Sequence, residues 1–260
     1  MGFIVLPALI PDIASVYDVY FTAFKDSPIL SALFPMGVDS GEFRDAHTAH
    51  TRSYWEKSST QYTLKCVDSE TGGIVGMALW DVYVTPSDWK KGEVDWLSGK
   101  EKERAEKLLF PLWDMREKLW DGKRYVYCHV IATHPQYQRR GIGSLLTQAG
   151  IQIAQQSQLP IYLESTKSGQ PLYAKLGFKL LKETIVHEKG ALGEGSEEER
   201  VPLMVWEPGS LSTGLEFVGE GTEIGEVGGK FDKMKLQDNS QEVINARKDS
   251  TQEDDGLLSN

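Results

Sequence analysis

Three observations predict an α/β fold built on a central sheet. Short β-rich runs recur between Phe3 and Trp206, amphipathic stripes with helical spacing separate several of them, and one strand passes through a glycine-containing turn directly into a helix. The sheet is expected to hold six to seven strands, mixed and mostly antiparallel, with helices flanking it. The folded domain is expected to span residues 1–206, with an insertion at 86–123.

The first strand is read at 3–6. A helix follows at 11–24, opening on Pro11 and Asp12, with Ile13, Val16, Tyr17, Tyr20 and Phe24 on one stripe. A second helix at 40–58 carries Phe43, His47, Tyr54 and Trp55. Two β-rich runs at 62–67 and 74–82 flank the polar, glycine-containing stretch 68–73, which suits a hairpin. The insertion is rich in charge and tryptophan, and its helix at 100–120 is expected to break near Pro111, which lacks a backbone N–H. Beyond it come a strand at 124–133, a helix at 141–157 and a strand at 160–166. A short helix at 169–176 stops at Gly177, and strands at 178–187 and 201–206 close the sheet as a hairpin.

Charge and composition exclude several classes of function. The formal net charge is −10, and residues 207–260 contribute −7 of it, with 12 acidic and 5 basic side chains. Such a balance disfavours nucleic acid, whose phosphates are neutralised by Lys and Arg. The stretch 207–260 has few large apolar residues and is expected to be a mobile acidic tail. No run approaches the roughly 20 apolar residues that a membrane span needs, and the opening lacks the pattern of a secretory leader. The two cysteines, Cys66 and Cys128, lie in apolar strand-like runs without metal-ligand spacing. No membrane partner, no metal and a reducing, cytoplasmic setting are therefore expected, and the five histidines form no metal constellation.

The strand at 125–133 leads through His134-Pro135-Gln136-Tyr137 into Gln138-Arg139-Arg140-Gly141-Ile142-Gly143, and the helical stripe Leu145, Leu146, Ala149, Ile153 begins at once. A helix N-terminus presents unpaired N–H groups and a partial positive charge, so it attracts phosphate. Gly141 and Gly143 allow close approach, and Arg139 and Arg140 add charge. On spacing alone a plain tight turn fits as well. The loop lacks the three spaced glycines of a dinucleotide fingerprint and the Gly-Lys-Ser/Thr of a P-loop.

These residues resemble the GNAT superfamily of acyl-CoA-dependent N-acetyltransferases, whose signature of Gln or Arg, two residues, Gly, any residue, then Gly or Ala is met by Gln138 to Gly143. Leu172-Tyr173-Ala174-Lys175-Leu176-Gly177-Phe178 resembles a second family segment, about 30 residues further on. The resemblance implies a GNAT-like fold with acetyl-CoA as cosubstrate. Gln138, Arg139, Arg140, Gly141, Ile142, Gly143 and Ser144 would then hold the pyrophosphate, and Ile131, Ala132 and Thr133 would pair with the pantetheine arm. Many members carry Asn after the next strand, where this chain has Ser165 and Thr166.

Amine acetylation needs a base for the ammonium and an acid for the leaving thiolate. Tyr173 stands where the family has its tyrosine and is the candidate acid, with a merely packed phenol as the alternative. His129 is the candidate base, since a histidine's ordinary pKa of about 6.5 suits proton uptake near neutrality. The alternative is a core histidine bonded to a carbonyl. Arylalkylamine N-acetyltransferases look similar in this strand, and period-2 alternation puts Tyr127, His129 and Ile131 on one face, with Cys128 turned away. Glu164 reads first as a solvent-facing strand-end carboxylate, and otherwise as an amine-binding group or a base acting through water. Asp81 reads first as a loop acid, and otherwise as a substrate contact. Trp80, Trp96, Trp113 and Trp120 are core residues or the walls of an apolar acceptor pocket, and 27–35 with 86–123 are expected to set specificity.

The sequence thus predicts an enzyme that transfers acetyl from acetyl-CoA to a small-molecule primary amine in a ternary complex. Two alternatives stay open: acetylation of protein lysines or N-termini, and a non-catalytic acyl-CoA-binding module.

Overall fold

A computed structural model describes residues 2–192, 195–209 and 211–219. Seven strands, β1 (Phe3–Pro7), β2 (Gln61–Asp68), β3 (Ile74–Tyr83), β4 (Tyr125–Thr133), β5 (Ile161–Glu164), β6 (Lys179–His187) and β7 (Glu199–Trp206), make one sheet in the order β1-β2-β3-β4-β5-β7-β6. Every pairing is antiparallel except β4 with β5. Six helices accompany it: α1 (Ile13–Ala23), α2 (Pro28–Leu33), α3 (Gly41–Lys57), α4 (Gly99–Trp120), α5 (Ile142–Ser157) and α6 (Gln170–Lys175).

Each face of the sheet is covered for a reason visible in the side chains. α5 lays Ile142, Leu146 and Ala154 on a cluster with Cys66, Ala78, Trp80, Val126 and Cys128. The approach is close: a Cβ on Gly150 would lie 2.3 Å from the Trp80 ring, so only glycine lets the helix and the indole meet. On the opposite face α1 packs Val16 and Val19 against Met77 and Ala132. The C-terminal part of α4 packs Leu119 and Trp120 against Tyr125, Tyr127 and Tyr162. α3 starts on Ser40, whose hydroxyl accepts the Phe43 amide at 3.1 Å, a side-chain cap on an otherwise orphaned donor.

The 27–35 stretch contains the helix α2, opened by Pro28. Two expectations need correction. α4 runs unbroken through Pro111, because its buried stripe Ala105, Leu108, Leu109, Leu119 and Trp120 offsets the lost backbone hydrogen bond. The chain beyond Trp206 is held over its described part: Phe217 bridges Leu181, the Lys182 amide donates to the Glu216 carbonyl at 3.0 Å, and that of Val218 to the Leu180 carbonyl at 2.8 Å. The rest of the expected tail, 220–260, lies outside the described residues.

Two irregularities position the site. β4 and β5 pair only through Val126 with Ile161 and Tyr127 with Tyr162, so β4 from Cys128 onward borders β3 on one edge and leaves the other edge without a partner strand among the described residues. Between β3 and β4 the register slips, Leu79 facing Val130 while Trp80 faces Cys128, so His129 is the extra residue of a β-bulge.

Candidate active site

The bulge decides where the strand's side chains go. Strict alternation would put Ile131 beside Tyr127 and His129. Instead the extra residue resets the period: Ile131 packs with the Cys128 cluster under α5, while Val130 and Ala132 join the α1 face. Tyr127 and His129 do stay together, their ring centroids 4.5 Å apart, and Cys128 is buried on the other side. Burial pushes the Cys128 thiol up, so it stays protonated and is no nucleophile at neutral pH.

His129 is held by a charge that sequence reading placed in a loop. Its Nε2 lies 2.7 Å from Oδ2 of Asp81, a β3 side chain only 3% exposed. The same oxygen meets the Tyr83 hydroxyl at 3.3 Å and the Arg116 guanidinium at 3.5 Å. Burial alone would raise the Asp81 carboxyl, but the bonded His129 and the nearby Arg116 outweigh it and hold the group below the usual carboxylate range. Arg116, 2% exposed, comes from α4 in the insertion. It donates to the Tyr125 hydroxyl at 2.9 Å and the Tyr83 hydroxyl at 3.1 Å, and its guanidinium lies 3.8 Å from the Tyr127 ring centre and 4.1 Å from that of Trp89. Sequence reading missed it. The signal was its place on the buried α4 stripe, where a cation needs a partner.

Glu164 departs from its first reading. The carboxylate does not face solvent: Oε2 accepts the Tyr127 hydroxyl at 2.8 Å, and Oε1 is buried without a hydrogen-bond partner among the described residues. Burial pushes this acid up, with the Tyr127 bond offsetting part of the effect.

Tyr127, His129 and Glu164 line one cavity of about 540 Å³. α1 and α2 contribute Tyr17, Tyr20, Ile29 and Leu33, and α4 adds Leu109, Leu112 and Trp113, so both expected specificity segments reach it. Trp80 and Trp120 are core, and Trp96 is half exposed. His47 also faces the cavity, and burial pushes it down to about 4, so it is neutral there. At the far end His187, on β6, is joined by Glu199, Arg200 and Val201 of β7.

The glycine loop sits at the other face. Gly141 takes φ +87°, a left-handed turn that a side chain would strain, and it serves as the N-cap of α5 with no side chain capping the helix. The first-turn amides therefore have no partner within the helix. Gly143 carries no side chain over them, Ser144 follows it, and Arg139 is exposed beside the loop. The Ile142 side chain is buried in the core, which leaves its amide as the group it presents. Gln138 reaches back to the Thr133 carbonyl at 3.4 Å, tying the loop to the end of β4. Between loop and cavity lies the opening where β4 and β5 part, with the uncovered edge of β4 at Ile131, Ala132 and Thr133. Such a cradle fits a pyrophosphate with an extended arm. Tyr173, on α6, packs on Phe178 with rings 5.5 Å apart, outside the cavity lining. Burial and the neighbouring Cys128 push its phenol far up, so it keeps its proton.

A sheet parted beside an uncapped helix N-terminus is suited to a phosphate-bearing donor with an extended arm. The chain belongs to the acetyltransferase (GNAT) family, whose model it matches over residues 38–178, more than half of its length. Among relatives, it is 33% identical over 146 residues to "Probable acyltransferase SID5" of Ajellomyces capsulatus, covering 55% of this chain and 100% of that protein. It is also 32% identical over 74 residues to an "Acetyltransferase" of Stachybotrys chartarum, covering 28% of this chain and 31% of that one. The C-terminal condensation domain of Ebony, solved in complex with beta-alanyl-dopamine, shares the fold at a TM-score of 0.57 and 16% identity, covering 80% of this chain and 99% of that domain. A mosquito arylalkylamine N-acetyltransferase like 5b does so at 0.54 and 14%, covering 79% and 100%. The expected fold and enzyme class are thus borne out. No helix is long and apolar enough to cross a membrane, and no group of three metal-ligating side chains occurs, among the described residues.

Proposed function

We propose that this protein transfers an acetyl group from acetyl-CoA to the primary amine of a small molecule, by direct attack while both are bound. The observation that carries this reading is the Asp81–His129 pair, 2.7 Å apart, at the point where the walled cavity meets the opening in the sheet. A volume of about 540 Å³ suits a small molecule.

Acetyl-CoA supplies an activated acyl carbon when bound; the other functions belong to this chain. The α5 amides from Ile142 to Ser144, with Arg139 and Arg140, hold the pyrophosphate, and the β4 edge at Ile131, Ala132 and Thr133 orients the arm. Glu164, with a buried unpartnered oxygen in the cavity wall, receives the acceptor's ammonium. His129 takes the proton at its ring, and Asp81, fixed by Arg116, orients the imidazole and stabilises the charge that arrives. We assign the proton for the departing sulfur to Tyr173 on its place in the Leu172–Phe178 segment; burial, which pushes its phenol up, works against the transfer.

A thiol-release assay with acetyl-CoA, a panel of small arylalkyl and alkyl amines and a lysine-containing peptide tests this. Release with small amines and none above background with the peptide is expected. Release with the peptide alone establishes protein acetylation instead, and tight acetyl-CoA binding with no release on any acceptor establishes a non-catalytic module.

A further inference from the structure

The cavity lining carries polar groups well away from Glu164 that the proposed relay does not use. His187 lines the wall with 2% of its surface exposed, and neither Nδ1 nor Nε2 has a hydrogen-bond partner among the described residues. A buried imidazole with an idle donor and an idle acceptor loses hydration at both atoms without compensation. Glu199, opposite His187 in the β6–β7 register, also lines the cavity, and the next residue, Arg200, is bonded to Glu198 at 3.2 Å. Burial keeps His187 itself neutral, with Glu199 offsetting only part of that effect.

The strand register sets the span. Glu164 pairs with Leu203 and His187 with Glu199, four residues back along β7, about 13 Å along the strand, and β5 and β6 flank β7 about 10 Å apart, so the two backbones are roughly 16 Å apart. The lining also includes the apolar side chains Ile29, Leu33, Leu112 and Trp113.

We infer that the far end is a second recognition point, where His187 reads a neutral hydrogen-bonding group, a hydroxyl or an amide, carried by the acceptor at the opposite end from its amine. Such a group both donates and accepts, matching the two idle nitrogens, and with the reach of the two side chains taken off the backbone separation it lies roughly 10–13 Å from the amine. This rests on the reading of the cavity as the acceptor site.

The test compares amino-octanol, with its hydroxyl at the end opposite the amine, with octylamine and diaminooctane, by calorimetric binding and by thiol release. Wild-type protein is expected to favour the aminoalcohol over octylamine by about tenfold, the scale of one buried hydrogen bond. His187→Leu should abolish that preference, and His187→Gln, which keeps a donor and an acceptor, should retain most of it. Equal binding of aminoalcohol and octylamine by wild type, or a preference for the diamine, overturns the inference. So does a preference that survives His187→Leu; should that variant not fold, a preference unchanged in His187→Phe is equally decisive. Selective binding without thiol release sinks only the acetyl-transfer reading, whereas thiol release without selective binding sinks only the role of His187.

Discussion

Asp81 and Arg116 form a buried charge pair, so removing both should cost less than the two single removals added together. Both side chains are under 5% exposed, and the closest approach is 3.5 Å. Two unit charges about 4 Å apart attract by ~4 kcal/mol at an effective dielectric near 20, a gain set against the desolvation of each. Asp81→Asn keeps a polar group for His129 but strands the guanidinium, so we expect a loss of about 3 kcal/mol in stability. Arg116→Met leaves the carboxylate and the Tyr83 and Tyr125 hydroxyls short of a partner, for about 4 kcal/mol. The double variant should cost about 2 kcal/mol less than the two losses added together. Urea unfolding followed by circular dichroism at neutral pH measures all three. Additivity to within about 0.5 kcal/mol would show that the two groups do not act as a pair. pH adds a second check. The Asp81 carboxyl is depressed in the folded state, so its stabilisation is fully present above its unfolded value of about 3.9 and fades as pH falls through the lower folded value. Asp81→Asn should flatten that acid limb.

Three further outcomes follow from the site. Glu164 is raised by burial, so its ionisation in the folded state costs stability once pH passes its unfolded value of about 4.3. Glu164→Gln should therefore melt no lower than wild type at neutral pH, lose any advantage below about pH 4, and raise the KM for amine at least tenfold. Gly141→Ala forces a side chain into φ +87°, costing roughly 1–2 kcal/mol and raising the KM for acetyl-CoA by about tenfold or more, with little change in the KM for amine. Tyr173→Phe should lower kcat by about 10–100-fold while acetyl-CoA binding and melting temperature hold; an unchanged kcat removes the acid role.

Much of this was legible in the chain because it depends on local order. Strand, glycine loop, apolar helix stripe and the Tyr173 segment are consecutive, and each has a local physical cause, so their sequence spacing maps onto the donor side of the molecule. The acceptor side was less legible because it depends on register and on residues far apart. One extra residue at His129 reverses the facing of Ile131, and nothing in the period-2 pattern announces a bulge. Arg116 reads as an ordinary polar helix residue until Asp81, 35 positions away, is brought beside it. Glu164 ends a strand, a place where a carboxylate usually meets water, and only the Tyr127 hydroxyl and the parting of β4 from β5 turn it inward. His187 carries no motif at all, and its interest arises from burial without partners. Asp81 did leave a trace: it shares a strand face with Met77, Leu79 and Tyr83, an acid within a buried apolar row.

The central claim is that His129, held by Asp81, takes the acceptor's proton. The pH dependence of kcat/KM for a small amine substrate, compared between wild type and His129→Gln, tests it most directly. The account predicts that the variant falls by about 100-fold or more at neutral pH and loses the acid limb of the wild-type profile. A variant within about threefold of wild type, with the same acid limb, would contradict it.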